Sequence, residues 1–257
     1  MFDVRWGGEP GGEPRFTYIG TTDTDYEGPV DDPQCTPEDI AYVLSAINFS
    51  VSDTTITEAD IVGTWAGLRP LVKSASSGRT ADLSRGHKVA RSSSGVVTVT
   101  GGKLTTYRHM ASDAVDEVLD ILGRKAGRSP TKKLRLRGAA GYDPAGGHLA
   151  ERYGGEASEV IALIRSDASL GEPLVPGTGY VKAEAVYAAR HEMARTLTDV
   201  LARRTRALLQ AREASVDVAA DVAALLATEL GWDDAETARQ VEAYRAVAAA
   251  EVASQSA

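Results

Sequence analysis

The chain has 257 residues, enough for one or two domains, and carries 28 Lys and Arg against 36 Asp and Glu, a formal net charge of −8. That acidic balance excludes a general nucleic-acid binder, which needs a basic face. A single cysteine, Cys35, excludes an internal disulfide framework, and no apolar run approaches the ~20 residues of a membrane-spanning helix.

In chain order, residues 7–14 duplicate Gly-Gly-Glu-Pro and form a loop by composition. Phe16 to Thr22 alternates as a strand and ends at Asp23-Thr24-Asp25. Two carboxylates without a histidine or further oxygen ligands fit a turn better than a metal site. Thr36-Pro37-Glu38-Asp39 starts a helix with a Thr cap, Pro at the first position and acids in the first turn. That helix runs to about Asn48 with Ile40, Val43, Leu44 and Ile47 on one face. Thr57 to Asp60 is a second cap-like turn, and Ile61 to Ala66 is a strand. The strand delivers Gly67-Leu68-Arg69-Pro70-Leu71, in which glycine and proline hold the backbone of Arg69. By composition alone Arg69 is an ordinary solvated arginine.

Residues 73–82 are a loop of small residues, followed by Arg85 in Leu83-Ser84-Arg85-Gly86-His87. His87 leads a strand that pairs, through Ser92 to Gly95, with Val96 to Thr100. Next come Gly101, Gly102, Lys103, Leu104, Thr105 and Thr106, and then a helix with Met110, Val115, Val118, Leu119 and Leu122 at helical spacing. A double glycine and a lysine therefore stand where a strand becomes a helix. Such a junction leaves backbone N–H groups at the positive end of the helix dipole, suited to an anionic or electron-rich group. A plain strand-to-helix turn fits the local pattern equally well. A phosphate P-loop does not, because Val97 and Leu104 occupy the positions that need Gly and Ser/Thr. His87 and His109 fit structural roles.

Residues 124–138 form a basic linker. Beyond it the chain is alanine-rich and helical, with candidate helices at 145–153, 157–166, 182–193, 198–211, 216–230 and 233–252. Their apolar stripes suit a small bundle. His191-Glu192 opens like a zinc-protease motif, but Arg195 replaces the second histidine. The basic run Arg203-Arg204-Thr205-Arg206 fits a solvated face or intramolecular pairing.

The segment from Gly95 to Asp116 resembles the flavin-contacting segment of the FAD-dependent glycerol-3-phosphate dehydrogenases. Residues 18–32, 64–72, 83–89 and 185–209 resemble the same family in the same order. The resemblance implies an α/β fold: a partial flavoenzyme body with a mixed β-sheet, followed by an α-helical C-terminal domain. It implies a division into 1–125 (body), 126–140 (linker) and 141–257 (helical domain). Met1 to Trp6 resembles the family's interior, entering a strand, and the family's N-terminal G-x-G-x-x-G unit, which holds the ADP half of FAD, has no counterpart here. The expectation is the C-terminal half of a longer enzyme, from a truncated gene or a split one, inactive by itself. The missing N-terminal half is then its partner.

By the same resemblance, Gly101, Gly102, Lys103, Leu104, Thr105 and Thr106 bind FAD. Arg69 is catalytic and substrate-binding, with Arg85 and Lys103 as further substrate-binding cations. Gly86 departs from the family pattern and loosens the backbone beside Arg85. The implied reaction oxidises sn-glycerol 3-phosphate to dihydroxyacetone phosphate, with hydride passing to FAD and electrons to a quinone. The alternatives are an oxidase of the same fold or a non-catalytic helical interaction module with a vestigial flavin site. No metal and no nucleic acid are expected. A cytoplasmic location is, with a homodimer and peripheral association with the inner face of the plasma membrane left open.

Overall fold

A computed structural model describes residues 2–6, 15–51, 54–69, 86–125 and 127–256. Strands β1 (Phe2–Trp6), β2 (Arg15–Ile19) and β3 (Ile61–Thr64) form an antiparallel sheet with β1 in the centre. Phe2 pairs with Ile19 on one side and with Thr64 on the other, with a register shift between Asp3 and Val4 on the β3 side. Helix α1 (Pro37–Ser50) starts as its sequence demands. Thr36 Oγ1 accepts from the Asp39 amide at 3.2 Å, while the Asp39 carboxylate accepts from the Thr36 amide at 3.3 Å. Its Ile40 and Val43 pack with Cys35, Ile19, Leu44 and Ile61 in a small core over the sheet. The Asn48 amide then clamps the backbone of Ile56, donating to its carbonyl and accepting from its N–H, each at 2.8 Å.

Strands β4 (His87–Arg91) and β5 (Val97–Gly101) form a hairpin, and helix α2 (Tyr107–Ile121) follows. Every named strand pair among the described residues is antiparallel. This corrects the mixed sheet implied by the resemblance. The five-residue link between β4 and β5 can close only an antiparallel pair, since parallel pairing needs a crossover of a dozen residues or more.

Beyond residue 140 the chain is helical, with α3 (Gly147–Tyr153), α4 (Ala157–Ser166), α5 (Lys182–His191), α6 (Ala207–Gln210), α7 (Arg212–Asp217), α8 (Ala219–Leu230) and α9 (Asp234–Ser256). Strand-like pairing among the described residues here is one isolated bridge, Pro173 to Val181. The expected helix over 198–211 breaks instead into a π-helical stretch, Asp199–Arg204, and the short α6. The cause is Thr205. It is buried, and both its amide and its hydroxyl donate to the Val200 carbonyl, at 2.8 and 2.7 Å, an i to i−5 closure. The basic run is tied internally. Arg203 bonds Asp199, Arg204 bonds the Glu192 carbonyl and Arg206 bonds the Tyr18 hydroxyl.

By backbone proximity the chain gathers into two units. One comprises residues 1–22, 32–66 and 137–257, and the other 23–31 and 67–136. The sequence-based division was linear, whereas here the N-terminal sheet and α1 join the C-terminal helices. Contact is close: a Cβ on Gly63 of β3 would lie 3.0 Å from the Leu209 carbonyl oxygen. The main core of this unit runs through Leu174, Val175, Leu197, Leu201, Leu226 and Tyr244.

At the edge of that core Glu251 of α9 faces Arg212 of α7, 3.7 Å apart, each less than a fifth exposed. Burial pushes the Glu251 carboxyl up to about 7, and the nearby Arg212 charge offsets only part of that. A raised folded-state value means a contribution to stability that is complete below the unfolded value of about 4.3 and is lost as pH rises through 7. Glu251→Gln should therefore match the parent near pH 4.5 and exceed it by about 1–3 kcal/mol at pH 8. Thermal unfolding across that range checks this, and parallel profiles for the two proteins would sink it.

Candidate functional site

The site is built on the exit of the β4–β5 hairpin. Ser92 closes the hairpin by accepting from the Val96 amide on its hydroxyl, and His87 at the other end pairs with Gly101. Strand β5 then runs into Gly101 and Gly102, at φ +74° and +79°. Two successive left-handed residues turn the chain sharply into a 3-10 turn, Leu104–Thr106, that continues as α2. Thr106 fixes the turn: its hydroxyl accepts from the Lys103 amide at 3.1 Å and donates to the Lys103 carbonyl at 3.0 Å. The next two amides, of Leu104 and Thr105, begin the turn ahead of its first backbone donor, the Thr106 N–H, which bonds the Lys103 carbonyl at 3.0 Å. They supply the donors that an anionic or electron-rich edge requires.

Gly102 is favoured by its backbone conformation and by its close neighbours. A Cβ there would lie 2.5 Å from Met110 Sδ and 3.1 Å from His87 Cβ, on top of the unfavourable φ. The Met110 side chain can move aside, but the dihedral strain stays. Gly102→Ala should cost about 1–3 kcal/mol in urea unfolding. A variant within about 0.5 kcal/mol of the parent would show that the turn relaxes freely.

The predicted cations have different settings. Arg69 Nε lies 3.3 Å from Asp23 Oδ1, with both side chains partly exposed. Asp23, assigned to a turn from sequence, thus also orients Arg69. Lys103 is exposed and begins the helical turn. Arg85 lies outside the described residues. A group that sequence reasoning did not bring together sits directly behind the glycine turn: His87 Nε2 is 2.7 Å from Asp113 Oδ2, and His109 Nδ1 is 3.2 Å from the same oxygen. The hydrogen bond from His87 holds the Asp113 carboxyl below its ordinary range. The signal was available in part, since His109 and Asp113 stand four apart on one helix face.

Another face of α2 is apolar and open. Tyr107, Ala111, Val115 and Leu119 line a groove of about 680 Å³ with Leu134 and Leu136, and Leu104, Val118 and Leu122 are exposed nearby.

Residues 129–237 match the family model described as the C-terminal domain of alpha-glycerophosphate oxidase. Glycerol-3-phosphate dehydrogenase 2 of Mycobacterium tuberculosis is 41% identical over 272 aligned positions, which cover 99% of this chain and 45% of that protein. A probable mitochondrial glycerol-3-phosphate dehydrogenase of Caenorhabditis elegans is 34% identical, over 90% of this chain and 35% of that one. Among solved structures, the Bacillus halodurans glycerol-3-phosphate dehydrogenase complexed with FAD superposes with a TM-score of 0.71 at 27% identity, covering 91% of this chain and 49% of that one. The chain belongs to the glycerol-3-phosphate dehydrogenase family.

The family resemblance read from the sequence is thus borne out, and the helices from α3 to the start of α9 lie within the matched C-terminal domain. The chain spans a little under half the length of the mycobacterial relatives it matches, 45% of glycerol-3-phosphate dehydrogenase 2 of Mycobacterium tuberculosis. No helix among the described residues is long and apolar enough to cross a membrane.

Proposed function

We propose that this chain forms the substrate-side and C-terminal part of an FAD-dependent enzyme that oxidises sn-glycerol 3-phosphate to dihydroxyacetone phosphate. The observation that carries this reading is the turn at Gly101–Thr106, with its double left-handed glycine and the leading amides of α2. These amides fit the electron-rich edge of an isoalloxazine, on which reduction places negative charge. FAD, when bound, supplies the hydride acceptor.

The chain's own residues would bind and orient the substrate. Arg69, held by Asp23, would present its guanidinium to the C2 hydroxyl oxygen and favour its alkoxide-like form as hydride leaves. Arg85 and Lys103 would neutralise the dianionic phosphate. The open apolar face of α2 would pack against the FAD-holding half of the enzyme, with a quinone as the final electron acceptor. The match to a model named for an oxidase keeps oxygen as a second class of acceptor.

Co-expression with the N-terminal half of a matched mycobacterial relative tests this. The expected product is a yellow complex whose flavin band bleaches on adding sn-glycerol 3-phosphate and recovers with a soluble quinone. Recovery by oxygen with peroxide release would assign the oxidase reaction instead. A complex that holds FAD but is not bleached would overturn the substrate. The 257 residues purified alone should be colourless, because the ADP half of FAD rests on a βαβ unit with a G-x-G-x-x-G turn, a motif that does not occur in these residues. A yellow preparation with near-stoichiometric flavin would contradict that.

A further inference from the structure

We propose that His87, His109 and Asp113 form a binding site for a divalent late first-row transition-metal ion such as Zn²⁺. One ligand atom from each residue lies within 4.8 Å of the other two. The backbone sets this up. His109 and Asp113 are one helical turn apart on α2, and His87 opens β4, whose partner strand leads through the glycine turn into the same helix.

The donor set selects the ion. Two imidazoles and one carboxylate suit zinc and its neighbours, whereas calcium and magnesium need several oxygen ligands. Without metal, the two rings converge on a single oxygen, Asp113 Oδ2, at 2.7 and 3.2 Å. Those contacts use one ring N–H from each histidine. A cation replaces these two protons with coordinate bonds to the same three atoms, and both imidazoles must be neutral for it to bind.

The geometry needs little adjustment. Ligand atoms around a tetrahedral zinc, each about 2.0–2.1 Å from the ion, stand about 3.3 Å from one another. His87 is the fixed member, with its side chain 18% exposed, while His109 at 68% and Asp113 at 40% have room to shift. The same exposure lets water complete the shell as a fourth ligand. Such an ion would cross-link β4 to α2 immediately behind Gly102. This site does not depend on the flavin reading above, since its three ligands all lie within the present chain.

The test is a calorimetric titration of Zn²⁺ into the untagged 257-residue chain, in a buffer that does not bind metal. One ion per chain is expected. The chain has four histidines, so proton spectra should show two ring sets moving with zinc and two standing still. His109→Ala, at an exposed position, should keep its circular dichroism and bind about tenfold or more weakly. Asp113→Asn should weaken binding similarly, and His191→Ala should leave it unchanged. No zinc uptake by the parent, parent-like binding by His109→Ala, or loss of binding in His191→Ala would each overturn the proposal.

Discussion

Replacing Glu184 by alanine should cost about 3–5 kcal/mol of folding stability. Glu184 lies at the start of α5 with 1% of its surface exposed. Its carboxylate accepts from the Val181 amide at 2.8 Å and the Tyr153 hydroxyl at 3.1 Å. Arg152 Nε lies at 2.8 Å and His148 Nε2 at 3.2 Å. One side chain thus caps α5 and ties it to α3. Truncation leaves Arg152, only 26% exposed, without its counter-charge among the rings of Tyr153 and Tyr180. An uncompensated buried charge is what makes breaking such a pair costly. Against a typical total of about 5–15 kcal/mol, the loss should bring urea unfolding to much lower denaturant. Replacing Glu184 and Arg152 together by neutral residues of similar size should cost less than Glu184→Ala alone. A loss below about 1 kcal/mol for Glu184→Ala would show that water reaches the site and that the network is not buried in solution.

Glu184 also marks where the sequence stopped being legible. In Lys182-Ala183-Glu184 it looks like an ordinary first-turn acid on an alanine-rich helix. Its partners Arg152 and Tyr153 are some thirty positions earlier, and no local pattern announces that pairing. Local signals fared better. The Thr36-Pro37-Glu38-Asp39 cap produced its helix, the Ser92–Gly95 link produced its hairpin, and the pair Gly101-Gly102 turned left-handed where strand becomes helix. The break near Thr205 was invisible, because Val200 to Leu209 keeps helical periodicity and only tertiary burial makes the hydroxyl return to the Val200 carbonyl. The candidate site divides along the same line. The glycine turn and Arg69 stood out in single stretches, one by local pattern and one by family resemblance. The contacts that orient the side chains, Asp23 to Arg69 and His87 to Asp113, join separate segments and needed coordinates.

Arg69→Ala, in the assembled flavoenzyme proposed above, should lower kcat/KM for sn-glycerol 3-phosphate by about 30- to 1000-fold, or about 2–4 kcal/mol of transition-state stabilisation. On that reading the guanidinium meets an oxygen whose negative charge grows as hydride departs, so the loss should fall mainly on kcat. Arg69→Lys should recover part of it, since an ammonium restores the charge without the planar two-donor fork. Asp23→Asn separates positioning from catalysis. The carboxylate 3.3 Å from Arg69 Nε fixes where the guanidinium stands, and its removal should cost about tenfold or less while Arg69 keeps its charge. The flavin spectrum should be unchanged in all three variants, because the proposed cofactor contacts are the backbone and side chains of Gly101–Thr106 rather than Arg69. Steady-state kinetics beside flavin occupancy reads both quantities. Near-normal kcat/KM in Arg69→Ala with full flavin would remove Arg69 from the reaction and leave its pairing with Asp23 as a surface contact worth about 1 kcal/mol or less.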